Sequence, residues 1–169
     1  MVKFHRGLNS VDAFERVEPV NIHTILEKLK YQFEGVAQAL GLTFSFLPST
    51  TSSLVLCDED ALADVISSLV HNAFSVCQKG DRISVGILQD SGQCIIVVQD
   101  SGPGIDPNNL DQIFQRDFPR RKVHGFSLNL YQMRCTIESL GGFIWAENHN
   151  SQCEQGTLFV VGLPIYAGS

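Results

Sequence analysis

No uninterrupted apolar run in this chain reaches the roughly 18 residues that a membrane-spanning helix requires. Met1 to Ser10 contain no apolar block of the kind that forms a secretory signal. Basic residues are scarce: twelve Lys and Arg stand against eighteen Asp and Glu, a formal net charge of −6. A general nucleic-acid binder, whose affinity rests on a basic face, is therefore disfavoured. A small anion site survives that argument, because backbone N–H groups and a metal ion can build one without surplus side-chain charge. The cysteines are few, scattered and odd in number (Cys57, Cys77, Cys94, Cys135, Cys153), and no C-x-x-C pair occurs. Neither a disulfide framework nor a thiolate zinc site is suggested, which leaves buried free thiols in a reducing compartment as the expectation. The Walker pattern G-x-x-x-x-G-K-[ST] is missing, and so is G-x-G-x-x-G. Internal repeats and a clear interdomain linker are absent too.

What remains is 169 residues, 44% of them hydrophobic, enough for one domain with a sizeable core. The first fifteen residues have weak periodicity and read as a leader or the stub of something upstream. Organised structure begins near Glu18. Asn21 can cap a helix in which Ile22, Ile25, Leu26, Leu29, Phe33, Val36, Ala37 and Leu40 recur at helical spacing, until Gly41 stops it. Leu42 to Leu47 alternates at period two, and Leu54 to Leu56 forms a second short strand. Asp58 caps the next helix, whose stripe is Leu62, Val65, Ile66, Leu69, Val70 and Ala73. Ile83–Ile87 and Cys94–Val98 flank a turn at Asp90-Ser91-Gly92 and predict a hairpin. A short helix is expected around Leu110 to Phe114, and a longer one from about Ser127 to Leu140. A final hairpin pairs Phe143–Ala146 with Thr157–Leu163 around a polar loop at 148–156. The order α-β-β-α-β-β-α-β-β implies a two-layer α/β sandwich: a mixed, mostly antiparallel sheet covered on one face by three helices.

Three places could carry chemistry. Asp100 ends an apolar strand, and Gly102 and Gly104 follow, letting the backbone bend sharply and approach a ligand. A carboxylate there can accept a hydrogen bond from an exocyclic amine such as adenine N6; a self-capped D-S-G turn is the commoner use of such residues. Asn72 sits near the end of the second long helix, at the edge of its apolar face. Its amide oxygen can ligate Mg²⁺, or simply bond backbone at a helix end. His124-Gly125-Phe126-Ser127-Leu128 runs into the third long helix, whose free N–H groups would attract phosphate. Arg116, Arg120, Arg121 and Lys122 precede it as a local basic cluster or a merely solvated run.

In this order the pieces resemble the ATP-binding catalytic domain of sensor histidine kinases, in the gyrase, heat-shock chaperone, histidine kinase and mismatch-repair ATPase superfamily. Val65-Ile66-Ser67-Ser68-Leu69-Val70-His71-Asn72-Ala73 is similar to the N-box, and Asp100-Ser101-Gly102-Pro103-Gly104-Ile105 matches the first glycine box, D-x-G-x-G. Ile113-Phe114-Gln115-Arg116 resembles the phenylalanine box. Gly125-Phe126-Ser127-Leu128 stands where G-x-G-L is usual, and Gly156-Thr157-Leu158-Phe159 with Leu163-Pro164 resembles the end of the fold. Phe14 to Ile22 is similar to the connector from the dimerisation helices. The resemblance covers about residues 14–165. It implies a Bergerat-type ATP-binding fold over 16–166, a stub of upstream dimerisation helices at 1–15 and a tail at 167–169.

The resemblance also implies roles. Asp100 would bind the adenine amine, with Gly102, Gly104 and Ile105 shaping the pocket and Thr157 lining its base end. Asn72 would hold Mg²⁺ on ATP. Phe114 and Arg116 would border the nucleotide, and Gly125, Phe126, Ser127 and Leu128 would cradle phosphates under a lid at 115–124. The γ-phosphate would pass to a histidine on a separate dimerisation domain, and from there to a response regulator. No H-box is present, so no catalytic phosphoacceptor is assigned and the chain is not expected to autophosphorylate alone. The domain is expected to be cytoplasmic, without inserting in a membrane; a membrane anchor elsewhere in the parent protein is compatible with this. Three departures support an alternative, a degenerate kinase fold acting as a docking or phosphotransfer scaffold. Ser68 replaces the first N-box asparagine, Ser75 replaces a frequent basic residue, and Ser127 replaces the second glycine of the second glycine box. A hydrolase of the gyrase type is disfavoured, because Ser68 cannot serve as the water-activating base that such enzymes place there.

Overall fold

The computed structural model describes residues 16–47, 52–118, 129–151 and 154–168. Along the chain these form β1 (Glu18–Asn21), α1 (Ile22–Leu40), β2 (Thr43–Leu47), β3 (Leu54–Cys57) and α2 (Glu59–Val76). There follow β4 (Arg82–Asp90), β5 (Gln93–Asp100), α3 (Leu130–Ser139), β6 (Phe143–Ser151) and β7 (Glu154–Pro164). Local chemistry sets the ends. The Asn21 side chain accepts from the His23 N–H to start α1, and Gly41 closes it in the left-handed region at φ 68°. Asp58 accepts from the Ala61 N–H to start α2, and Glu59 and Asp60 place negative charge in the first turn, where the helix dipole favours it.

The main sheet has the order β2-β4-β5-β7-β6, with β2 parallel to β4 and every other neighbour antiparallel. Period-two burial divides its faces. Ile83, Val85 and Ile87 of β4, Cys94, Ile96 and Val98 of β5, and Phe159, Val161 and Leu163 of β7 point into the core. There they join Ile25, Leu26 and Phe33 of α1, Leu62, Ile66 and Leu69 of α2, and Met133 and Ile137 of α3. Leu47, Leu88, Phe143 and Trp145 stand exposed. Three helices therefore cover one face of a mixed sheet, as the element order implied.

Four local expectations need correction. Glu18–Asn21, given no secondary structure of its own within the stretch likened to a connector from the dimerisation helices, is a strand that pairs antiparallel with β3 in a separate two-stranded sheet. The region around Leu110 to Phe114 is a run of turns rather than a helix. Asp106 explains its start: the carboxylate accepts from the Asn108 N–H, offering the backbone a local partner that competes with helix formation. The supposed polar loop at 148–156 is mostly ladder, since β6 and β7 stay in register as far as Ser151 opposite Glu154. Finally, α3 starts at Leu130, because Asn129 and Gln132 form a reciprocal capping box.

Candidate functional site

The site is built on the last row of the helix-covered sheet face. Backbone register places Asp100 of β5 opposite Thr157 of β7, and Thr157 opposite Asn148 of β6. The neighbouring inward row, Val98, Phe159 and Ala146, is apolar. The sheet thus ends in a polar row, Asp100–Thr157–Asn148, on the face whose other rows make the core.

Asp100 is 4% exposed and Thr157 3%. Oδ1 of Asp100 accepts the Gly102 N–H at 2.9 Å and the Thr157 N–H at 3.4 Å. Its second oxygen carries no hydrogen bond among the described residues. Burial pushes the carboxyl above the usual carboxylate range, against the two backbone donors, which favour its charged form; Asp81 adds to the rise. A desolvated carboxylate with one oxygen spoken for and one available is a directed acceptor. It can accept an N–H donor of a ligand, and leaving that oxygen without one is costly.

The turn beyond Asp100 needs its glycines. A Cβ on Gly102 would stand 3.0 Å from Asp100 Oδ1 and 3.4 Å from Val76 Cγ2. Gly104 has φ +79°, and its Cβ would lie 3.0 Å from Asn148 Oδ1. The tightest approach is across the sheet, where a Cβ on Gly156 would meet the Asp100 carbonyl oxygen at 1.8 Å. Polar side chains then pin the turn. Asn148 accepts from the Ile105 N–H at 2.8 Å and donates from Nδ2 to the Ile105 carbonyl at 2.6 Å. Gln155 donates from Nε2 to the Pro103 carbonyl at 2.7 Å. On the other side, Ser101 donates from Oγ to Asp81 at 3.0 Å and accepts from the Arg82 N–H at 2.8 Å. A cleft of about 280 Å³, bordered by Val76, Asp81, Gly102 and Pro103 among others, opens beside the turn.

Asn72 approaches from α2. It lies one helical turn before Val76, the residue that meets Gly102, and one turn after Ser68, so the three share a stripe. Ser68 is buried at 4% exposure. Asn72 is half-buried; its carbonyl accepts from the Ser75 hydroxyl at 2.7 Å, while its side-chain amide makes no hydrogen bond among the described residues. Among those residues no three His, Cys, Asp or Glu side chains gather to hold a metal ion. A cation here would take Asn72 as a protein oxygen and complete its shell from a ligand and water, the habit of Mg²⁺. Cys77, at the end of α2, lies near the turn, its Sγ 3.5 Å from where a Gly102 Cβ would be. Burial pushes its thiol up to about 12, with Asp100 and Asp81 adding to the effect, which favours the protonated form at neutral pH.

The other expected residues are placed less centrally. Ile105 is half-buried and held through its backbone by Asn148. Phe114 is buried in the core, with its ring edge-on to Phe159 at 6.3 Å. Arg116 is exposed, donates from Nη2 to the Tyr131 hydroxyl at 2.8 Å, and lies 5.1 Å from that ring's centre. It therefore links the segment after Phe114 to α3. Gly125, Phe126, Ser127 and Leu128 lie outside the described residues, as do Arg120, Arg121, Lys122 and His124. Asn148, Gln155 and Asp81 were not anticipated. Only the alternation Ile144, Ala146, Asn148 signalled that Asn148 faces inward.

Known proteins resemble this chain in sequence and in shape. The family described as histidine kinase-, DNA gyrase B- and HSP90-like ATPase matches residues 57–167. The sensor protein SrrB of Staphylococcus aureus is 30% identical over 157 residues, covering 89% of this chain and 26% of that protein. This chain thus spans about a quarter of the length of that curated relative. The nucleotide-free catalytic domain of the histidine kinase ThkA superposes with a TM-score of 0.77 at 24% identity, covering 88% of this chain and 95% of that one. ThkA in complex with the response regulator TrrA superposes at 0.72 and 22% identity, over 89% and 42%. The chain belongs to the histidine kinase-, DNA gyrase B- and HSP90-like ATPase family and carries the fold of its histidine kinase catalytic domains.

Proposed function

We propose that this chain binds ATP with Mg²⁺ and donates the γ-phosphoryl group to a histidine on a separate dimerisation or phosphotransfer domain in two-component signalling. The observation that carries the reading is Asp100: a buried carboxylate at a glycine turn, with one oxygen fixed by backbone and the other available. In this reading the available oxygen accepts the adenine exocyclic amine. Gly102 and Gly104 let the backbone approach the base, and Thr157 and Ile105 line it. Asn72 supplies an oxygen to Mg²⁺, which when bound neutralises phosphate charge. Gly125 to Leu128 and the basic run before them are assigned to the phosphates on the resemblance alone. Transfer forms a bond from a histidine nitrogen to the γ-phosphorus and breaks the β–γ bridge, releasing ADP. The domain's contribution is positioning and charge neutralisation, as is general for phosphoryl transfer.

A response regulator is the proposed downstream partner. Among the described residues no helix is long and apolar enough to cross a membrane, and we assign the domain to the cytoplasm, where ATP is available. A second reading, a scaffold that keeps the fold with little or no transfer, is favoured by two observations. Ser68 is buried on the Asn72 stripe, and Ser75 caps the helix backbone where a basic side chain would offer charge.

Calorimetry with ATP and ADP, with and without Mg²⁺, tests the binding claim; absence of heat in all four titrations would overturn it. Labelled ATP added together with an intact histidine-bearing dimerisation domain separates the two readings. Label on histidine is expected for the kinase, and binding without transfer identifies the scaffold.

A further inference from the structure

Asn148 lies 43 residues from Ile105 in sequence, yet the two make a pair of hydrogen bonds. Its amide oxygen takes the Ile105 N–H and its amide nitrogen gives to the Ile105 carbonyl. A peptide group in a β-ladder offers a neighbour the same donor and acceptor. The side chain therefore extends the sheet row Asp100–Thr157–Asn148 to the far end of the glycine turn, and the turn is tied at both ends. Its start is fixed by Asp100 Oδ1 on the Gly102 N–H, and its end by Asn148 on Ile105. Gln155, on the strand that carries Thr157, holds the Pro103 carbonyl between them. A Cβ on Gly104 would lie 3.0 Å from the Asn148 oxygen, so a side chain at this position would press on the anchor.

We infer that Asn148 is a positioning residue for base selection. It holds the Gly102–Ile105 turn so that the free oxygen of Asp100 meets an exocyclic amine, and it thereby makes the site prefer an amino-purine over an oxo-purine nucleotide. The inference rests on the nucleotide reading proposed above. The logic is geometric. Asp100 Oδ1 is oriented by the Gly102 N–H, and Gly102 moves with the turn that Asn148 anchors. Loosening the anchor frees the carboxylate to rotate, and a directed acceptor becomes an undirected one. An oxo-purine has a carbonyl where adenine has its amine and gains nothing from a well-aimed carboxylate, so its affinity is insensitive to the anchor. Both polar atoms of Asn148 are engaged with backbone, which is why it positions and does not itself contact the base.

The test compares ADP with IDP by calorimetry on the full 169-residue chain and its variants. The unsubstituted chain is expected to prefer ADP. Asn148→Ala is expected to lower ADP affinity about tenfold, leave IDP affinity unchanged and so reduce the ratio by the same factor. Asn148→Asp, which keeps the acceptor for the Ile105 N–H but sets a carboxylate against the Ile105 carbonyl, is expected not to restore the ratio. If Asn148→Ala fails to fold, Gln155→Ala serves instead: its side chain is exposed, and loss of its bond to Pro103 should shift the ratio in the same direction by a smaller factor. An unchanged ADP-to-IDP ratio in variants of a chain that does prefer ADP overturns this inference and leaves the nucleotide reading standing. A chain that binds both equally before any substitution overturns this inference, and one that binds neither nucleotide overturns the nucleotide reading with it.

Discussion

The two ends of the site are held in opposite ways. At the end of β5, Asp100 is buried, accepts two backbone N–H groups and belongs to a turn pinned by Asn148, Gln155 and Ser101. On α2, Asn72 is half-buried, and its amide makes no hydrogen bond among the described residues. One end is preorganised and the other is left free to adapt. A flat, invariant base is read best by fixed groups. A metal ion that brings its own waters and phosphates needs one oxygen that can shift. Substitutions at the fixed end should therefore change both stability and selectivity, and those at the free end only ligand-dependent terms.

The largest effect is expected at Gly156, which lets β7 pass over the end of β5. A Cβ there meets the Asp100 carbonyl at 1.8 Å, so Gly156→Ala must displace one strand. A loss of about 3 kcal/mol in urea unfolding is expected, with nucleotide binding abolished. A variant that melts normally and binds normally would show that the fixed end is softer than its geometry implies.

Acidity provides a second way to break the comparison. Burial raises the Asp100 pKa, so on acidification the carboxylate is protonated at a higher pH than an ordinary aspartate. ADP affinity should therefore weaken as pH falls, starting above the usual carboxylate range. The stability effect has the opposite sign. Between the unfolded and the raised folded pKa the folded state holds the extra proton, so the contribution of Asp100 to stability increases as pH falls. Melting curves of both proteins between about pH 4 and 7 should show the unsubstituted chain gaining relative to Asp100→Asn on acidification.

Asn72→Ala should leave stability within about 0.5 kcal/mol, because its amide has no hydrogen bond to lose among the described residues. ADP binding without metal should persist, and the increment contributed by Mg²⁺ should vanish. The smallest effect is expected at the start of α3. Asn129→Ala removes one half of a capping box and should cost about 1 kcal/mol in thermal unfolding, with base selectivity unchanged.

Much of this was legible in the sequence because it rests on local chemistry. Asp58 and Asn21 announce helix starts, Gly41 a helix end, and Asp100 followed by Gly102 and Gly104 a backbone bend at a strand end. Asn148 and Gln155 were hidden by their surroundings. A polar stretch between two apolar strands looks like a loop, and only the cross-strand register with Thr157 places Asn148 in line with Asp100. The strand Glu18–Asn21 was obscured because it is four residues long and contains Pro19. Arg116 adds a contact that charge alone does not foretell: in the structure its guanidinium is joined to Tyr131 of α3. Contacts between residues distant in sequence decide such cases, and periodicity does not report them.

The central claim is that Asp100 reads the base through the one oxygen the backbone leaves available. Calorimetric titration of ADP into the chain and into Asp100→Asn tests it most directly. The variant keeps an oxygen for the Gly102 and Thr157 N–H groups, so its melting temperature at neutral pH should not fall. Its second position becomes an N–H donor that opposes the adenine amine, and binding should be lost. Equal ADP affinity in the two proteins would contradict the account.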